Sequence, residues 1–307
     1  MHTAYINHPD CLKHDMGPLH PECPGRLQAI DDQLIASGLL HYLRHYDAPL
    51  ATFEQLARVH APQYIESVRA ASPAEGLAYL DPDTAMNPHT LNAALRAAGA
   101  VVLATDLVIE RKAENAFCAI RPPGHHAESA RAMGFCIFNN VAVGVAHAMA
   151  QHGLQRVAIV DFDVHHGNGT EEIFHDDPRV MLCSTFQHPF YPHCGADSGN
   201  DHIVNVPLPA GTDGEAFRTA VTERWLPALE RFRPEMVFVS AGFDAHWEDD
   251  MAMFKLKEAD YAWVTQQIKN VAERFSHGRI VSALEGGYEL HALGRSVAAH
   301  IKVLSGL

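Results

Sequence analysis

The segment Asp161-Phe162-Asp163-Val164-His165-His166-Gly167-Asn168-Gly169 sets two carboxylates and an imidazole at alternate positions directly after an apolar run. In extended chain the residues i, i+2 and i+4 share a face, so Asp161, Asp163 and His165 point into one space. Asp244 closes the segment Ser240-Ala241-Gly242-Phe243-Asp244, again behind an apolar run. Together Asp163, His165 and Asp244 make a set of two aspartates and one histidine. Three protein ligands leave one position open for water, the arrangement of a catalytic zinc site and not of a closed structural one. Carboxylate-rich ligation admits Fe²⁺ or Co²⁺ as well. Taken alone, Asp-x-Asp-x-His also fits a solvated, turn-rich loop. Its placement after a buried strand favours metal, because buried acids must be paired or bound to a cation.

A second group is suited to moving protons. Arg121-Pro122-Pro123-Gly124-His125-His126-Ala127 places adjacent histidines in a loop stiffened by Pro and Gly. Two imidazoles that titrate near neutrality can divide base and acid roles. A tandem pair is weak by itself in a chain with 22 histidines; the rigid frame strengthens it. Asp161 is placed to accept from one ring, fixing its tautomer, and Asn168 to support the other. An amide stabilises imidazolium less than a carboxylate does, so the two rings should differ in pKa. Tyr288, behind Gly286-Gly287, can offer its phenol to a tetrahedral oxyanion, although an ordinary half-buried aromatic is the simpler reading of that residue in isolation.

These residues need a scaffold. Short apolar runs at 116–120, 157–160, 180–183, 236–240 and 280–284 read as buried strands, and helical spacing covers 24–37, 88–111, 140–152, 214–232, 258–275 and 290–304. Strands separated by helices predict an α/β fold, a central mainly parallel sheet flanked by helices. Ligands in such folds lie beyond the carboxyl ends of the strands, where the loops carrying Asp163, Asp244 and Tyr288 would meet.

At 307 residues, with no linker or composition break, a single domain over 1–307 is expected. The hydrophobic share of 47% against 20% charged is enough for a substantial core. A formal charge of −14 argues against nucleic acid and anionic membranes as partners, and tolerates a cationic substrate or protein tail. Six cysteines without a C-x-x-C pair disfavour a thiolate zinc site and suggest a reducing compartment. With neither a leader-like start nor an apolar run of membrane-spanning length, a cytoplasmic protein is expected.

The motifs together resemble the zinc-dependent histone deacetylase superfamily, most nearly its class II and bacterial deacetylase-like amidohydrolase members. The likeness runs from His14-Asp-Met-Gly-Pro-Leu-His-Pro-Glu22 through Arg121-Pro-Pro-Gly-His-His126, Gly134-Phe-Cys-Ile-Phe-Asn-Asn140, Asp161-Phe-Asp-Val-His-His-Gly-Asn-Gly-Thr170 and Ser240-Ala-Gly-Phe-Asp244 to Gly286-Gly-Tyr288. The resemblance implies the arginase/deacetylase fold and hydrolysis of an acylated amine, most familiarly the ε-amine of acyl-lysine. It implies a metal on Asp163, His165 and Asp244, proton handling by His125 and His126 with Asp161 and Asn168 behind them, and Tyr288 as carbonyl-polarising donor. It implies that His126 acts as general base and acid, and that Gly134, Phe135 and Phe190 line an acyl-lysine tunnel; plain core packing is the alternative for the two aromatics. A structural K⁺ is implied at the Asp161 and Ser184 side chains with carbonyls of Asp163, His165 and Thr185, and a second near Phe174, Asp177 and Val180. Arg26 matches an arginine beside an internal acetate-release channel, and Asp83 or Asp81 a rim aspartate that grips substrate backbone.

The sequence departs from the family pattern at His193-Cys194, at Cys23 and at Asp250. Polyamine-selective members place an acidic residue at the tunnel mouth. The corresponding position here is Met251, which favours acyl-lysine or a general acyl-amine, but Glu248, Asp249 and Asp250 lie just before it, and a one-residue shift would put Asp250 at the gate. Acetylpolyamine hydrolysis is therefore the runner-up. A non-catalytic binder of acylated ligands and an arginase-like two-metal hydrolase are more distant readings. A homo-oligomer is compatible with all of them.

Overall fold

The computed structural model describes residues 2–307. Its centre is an eight-stranded sheet built from β1 (Thr3–Asn7), β2 (Leu43–Asp47), β5 (Asn115–Cys118), β6 (Val157–Asp161), β7 (Val180–Gln187), β8 (Ile203–Leu208), β9 (Met236–Ala241) and β10 (Ile280–Leu284). The order is β2-β1-β5-β10-β9-β6-β7-β8, and every pairing is parallel. A separate antiparallel hairpin joins β3 (Ala78–Asp81) to β4 (Thr84–Met86). The helices are α1 (Gly25–Ala36), α2 (Phe53–Leu56), α3 (Pro62–Ala71), α4 (Thr90–Ile109), α5 (Asn140–His152), α6 (Asn168–Phe174), α7 (Gly214–Ala220), α8 (Leu226–Phe232), α9 (Glu258–Phe275) and α10 (Leu290–Leu304).

A parallel sheet needs both faces covered, and the strands here are apolar on both sides. On β5, Phe117 packs into the core formed with α1, α9 and α10, while Ala116 and Cys118 face the core formed with α4 and α5. The five predicted strands are all present. Strand 116–120 stops at Cys118, and the predicted helix 214–232 is interrupted, a wider turn over Val221–Trp225 separating α7 from α8. The apolar runs do not reveal β1, β2 and β8 of the central sheet, nor the short hairpin β3–β4. β2 and β8 are the two edge strands, and β2, Leu-Arg-His-Tyr-Asp, is largely exposed, so it lacks the uninterrupted hydrophobic run of a central strand.

One expectation needs correction. Helix α4 is long and apolar enough by length and composition to cross a membrane, although the sequence reading finds no such run. Its apolar character has another cause: Ala97, Ala100, Val101 and Ala104 are packed into the core against the sheet.

Two buried histidines act as hydrogen-bonded bridges, one between layers and one between loops. The His300 ring on α10 bridges Thr265 Oγ1 on α9 (2.6 Å) and Ser282 Oγ on β10 (2.9 Å), and His60 bridges the Glu128 carbonyl (3.0 Å) and the Asn139 N–H (2.9 Å). Burial pushes His300 down to about 3 and His60 down to about 4. Each folded value lies below the unfolded one, so stability is complete above about pH 6.5 and is lost on acidification toward the folded values, at roughly 1.4 kcal/mol per pH unit for each ring. Denaturation midpoints at about pH 7 and about pH 5 should show a smaller acid loss for His300→Gln than for the unsubstituted protein; equal losses would contradict this account.

Candidate active site

The carboxyl ends of the adjacent central strands supply the site. β5 leads into the Arg121–His126 loop, β10 into Glu285–Tyr288, β9 into Gly242–Asp244 and β6 into Phe162–Asn168. The first of these loops is fixed from below. Arg121 is fully buried, its guanidinium paired with Glu22 and donating to the Cys11 and His14 carbonyls (2.8 and 2.9 Å). Glu285 Oε2 accepts the N–H groups of Gly124 (2.7 Å) and His125 (3.1 Å). Burial pushes the Glu285 carboxyl up to about 7, against the pull of His125 and those two N–H groups.

The two histidines lie with ring centroids 4.0 Å apart. His125 Nδ1 meets Asp161 Oδ2 at 2.9 Å, and His126 Nδ1 meets Asn168 Oδ1 at 2.8 Å. Asn168 gives its Nδ2 to Glu128 Oε1 (2.9 Å), which turns its oxygen toward His126. His126 therefore donates from Nδ1 and keeps the Nε2 lone pair for the cavity. Burial opposes charging of both rings. At His125 the carboxylates of Asp163, Asp161 and Glu285 overcome it and hold the pKa well above the usual value. At His126 the positive neighbours His125 and His165 add to burial, and the pKa is held well below it.

His165 Nδ1 lies 3.2 Å from Asp163 Oδ1 and 3.1 Å from Asp244 Oδ2. The three potential donor atoms fall within 4.8 Å of one another, and all three residues are buried. Backbone donors orient both carboxylates and leave lone pairs over: Gly286 N–H reaches Asp163 Oδ2 (2.8 Å) and Val164 N–H reaches Asp244 Oδ1 (3.0 Å). Burial, and the charge of Asp163 beside it, push Asp244 up to about 6. Two buried carboxylates around one imidazole, with no Lys or Arg paired to either among the described residues and only His125 Nε2, 3.8 Å from Asp163 Oδ2, as a further cationic neighbour, fit a divalent cation. Gly286 has to be glycine, since a Cβ there would overlap the carboxylates of Asp244 and Asp163.

A cavity of about 240 Å³ opens beside this cluster. His126, His165 and Tyr288 line it together with Phe135, Phe190 and Tyr191, and Gly134, Asp83 and Met251 complete the lining. Phe190 stacks on His165 (5.6 Å), Tyr191 meets His126 edge-on (5.3 Å), and Phe135 meets Tyr288 edge-on (5.9 Å). Phe135 is in the left-handed region (φ 69°), a costly conformation for an aromatic residue. It is held there by Thr84 Oγ1, which accepts its N–H (3.0 Å), while Asp83 Oδ1 accepts that of Gly134 (3.2 Å). Burial pushes the Tyr288 phenol well above its usual pKa against the pull of Arg26, whose guanidinium lies 5.0 Å from the ring centre, so the phenol is a hydrogen-bond donor at neutral pH.

The structure brings the sequence-predicted residues together, with some distinctions. Asp83 lines the cavity and Asp81 does not. Met251 lines it, whereas Glu248 is engaged by Arg295 Nη2 (2.8 and 2.9 Å), Asp249 by backbone N–H groups, and Asp250 is exposed outside the lining. His193 and Cys194 are exposed and also lie outside it. Ser184 pairs with Asp161 in the β6–β7 register, and its buried hydroxyl has no hydrogen-bond partner among the described residues. The carbonyls of Phe174 and Asp177 accept turn hydrogen bonds, and the Asp177 carboxylate is taken by Arg179. Sequence reasoning gave no role to Tyr191 or Glu285, and took Asp249 only as one of three acids preceding Met251. Glu285 was findable, as a carboxylate placed directly after an apolar strand.

A second convergence, Asp106 with His147 and His152, lies on α4 and α5. Asp106 Oδ1 meets both Nε2 atoms (2.8 and 2.7 Å), but Arg58 donates to His147 Nδ1 (2.9 Å). That leaves the His147 proton on Nε2, facing Asp106, in a hydrogen-bonded polar cluster with a guanidinium at its edge and not a free ligand set.

The sequence pattern of the histone deacetylase domain matches residues 20–304. The histone deacetylase-like amidohydrolase of Pseudomonas aeruginosa is 38% identical over 329 residues, covering 99% of this chain and 86% of that protein. The polyamine deacetylase HDAC10 of Mus musculus is 37% identical over 333 residues, covering all of this chain and 48% of that protein. Among solved structures, the HDA15 HD domain superposes with a TM-score of 0.95 at 35% identity, covering 99% of this chain and 88% of that one. Since the family pattern spans nearly the whole chain, including every loop that builds the cavity, the protein belongs to the histone deacetylase family and is a deacetylase or amidohydrolase acting on amide bonds.

Proposed function

We propose that the protein removes acetyl or other acyl groups from acylated amines, the ε-amine of acyl-lysine in proteins or peptides being the substrate the cavity suits best. The observation that carries this reading is the convergence of the His126 Nε2 lone pair, the Tyr288 phenol and the Asp163–His165–Asp244 cluster on one narrow, aromatic-walled cavity. A divalent metal, Zn²⁺ first and Fe²⁺ or Co²⁺ as alternatives, would be held by Asp163, His165 and Asp244, and supplies electrophilic polarisation and an acidified water.

The chain's own groups do the rest. His126, neutral and oriented by Asn168, takes a proton from the attacking water as its oxygen bonds to the acyl carbon. Tyr288 donates its O–H to the oxygen on which negative charge develops. When the C–N bond breaks, His126 returns the proton to the departing nitrogen, so that acid and free amine leave. His125, held cationic by the carboxylates of Asp163, Asp161 and Glu285, contributes a fixed positive charge. Phe135 and Phe190 flank the methylene chain, with Gly134 allowing close approach, and Asp83 orients the substrate backbone at the rim. The partnerless Ser184 hydroxyl beside the buried Asp161 carboxylate suits a structural K⁺.

Acetylpolyamine hydrolysis is the second reading, supported by the similarity to a polyamine deacetylase. Against it stand Met251 in the cavity lining and the diversion of Glu248 and Asp249 to other partners. Amine release from matched acyl-lysine peptides and acetylpolyamines should favour the peptides. Met251→Glu should then move the preference toward acetylpolyamines by about tenfold or more, since it places a charge where a second ammonium would lie. A preference of the unsubstituted protein for acetylpolyamines would overturn the lysine reading.

A further inference from the structure

We infer that Asp249 is the positioning residue that aims the Tyr288 phenol into the cavity, and that the same carboxylate fixes the cavity-wall residue Met251; this rests on the role proposed for Tyr288. Asp249 is 4% exposed in the loop after β9. Its Oδ2 accepts the N–H groups of Tyr288 (2.6 Å) and Glu289 (3.0 Å), and its Oδ1 accepts that of Met251 (3.0 Å). One side chain thus spans two loops, spending both oxygens on backbone.

Tyr288 needs such an anchor. It follows two glycines, and Gly287 has φ +121°, so the preceding chain supplies no side-chain packing of its own. The phenol oxygen makes no hydrogen bond to a protein group among the described residues, and its direction is set by ring contacts with Phe135 and Arg26 and by its backbone. That backbone is pinned on either side by carboxylates: Asp163 on the Gly286 N–H and Asp249 on the Tyr288 N–H. Arg26 also holds this backbone, donating to the carbonyls of Glu285 and of Gly287 (2.6 Å), but a guanidinium only donates, so the Tyr288 N–H depends on Asp249 for its acceptor. An ionised carboxylate is suited to three N–H donors. An amide would serve one arm with its oxygen and oppose the other with its NH₂.

A merely stabilising role for Asp249, tying the loop after β9 to the chain that enters α10, would cost folding and not the phenol in particular. A double-mutant cycle on the metal-reconstituted full chain separates the two. Asp249→Ala should lower kcat about 30-fold with KM within about threefold, metal content unchanged, and Asp249→Asn should lower kcat by about fivefold. In a Tyr288→Phe background the Asp249→Ala change should cost less than about threefold, because the donor it aims is already gone. If the alanine variant does not fold, the asparagine variant enters the same cycle, with its loss expected only when the phenol is present. Equal fractional losses in both backgrounds, or an unchanged kcat, would overturn the inference and leave the role of Tyr288 standing. A full rate for Tyr288→Phe itself would overturn both.

Discussion

Asp244→Asn protein is expected to fold, to lose its divalent metal and to retain less than about one thousandth of the activity. The substitution keeps the side chain's shape and its acceptance of the Val164 N–H (3.0 Å), but it removes one of the two charged oxygens that face His165 Nδ1. A neutral amide is a poor replacement for a carboxylate when three ligands are all the protein offers. Stability of the metal-free chain should hold or rise, because Asp163 and Asp244 are like charges buried side by side. Elemental analysis beside thermal unfolding checks both parts. Full metal occupancy in the variant would show that the ligand assignment is wrong, and a collapse of the metal-free fold would show that Asp244 is structural.

Tyr288→Phe is expected to lower kcat by about 10²- to 10³-fold, comparable to removal of one oxyanion donor elsewhere, with metal content and KM little changed. The ring stays, so its contacts with Phe135 (5.9 Å) and the Arg26 guanidinium (5.0 Å) survive, and only the donated proton is lost. That proton is available because burial holds the phenol well above its usual pKa. Steady-state kinetics on an acyl-lysine peptide would reveal it. A variant that turns over at the original rate would assign Tyr288 to the wall of the cavity and nothing more.

Much of the site was legible because it lies at the ends of buried strands. Acidic and aromatic residues placed directly behind apolar runs, as at Asp161, Asp244 and Glu285, stand out against the chain's ordinary pattern. Periodicity located the five central and near-central strands for the same reason. The edge strands β2 and β8 lack that pattern, since β2 is open to solvent along much of its length. The acidic run 248–250 was ambiguous in sequence because three adjacent carboxylates look alike there. Tertiary partners separate them: Arg295 takes Glu248, two loops' N–H groups take Asp249, and Asp250 remains in solvent. Tyr191 stands in the Phe190-Tyr-Pro192 segment, whose sequence gives it no chemical role, and only the fold brings it against His126 and His165.

The central claim is that one cavity hydrolyses an acyl-amine with a divalent metal bound at Asp163, His165 and Asp244. The most direct test is to measure acid and free amine released from an acetyl-lysine peptide by zinc-reconstituted and by chelator-stripped protein. The account predicts one acid for each amine, dependent on about one bound metal per chain, with no turnover after stripping and recovery when metal is restored. Peptide binding without release by the reconstituted protein, or undiminished release by the stripped one, would contradict it.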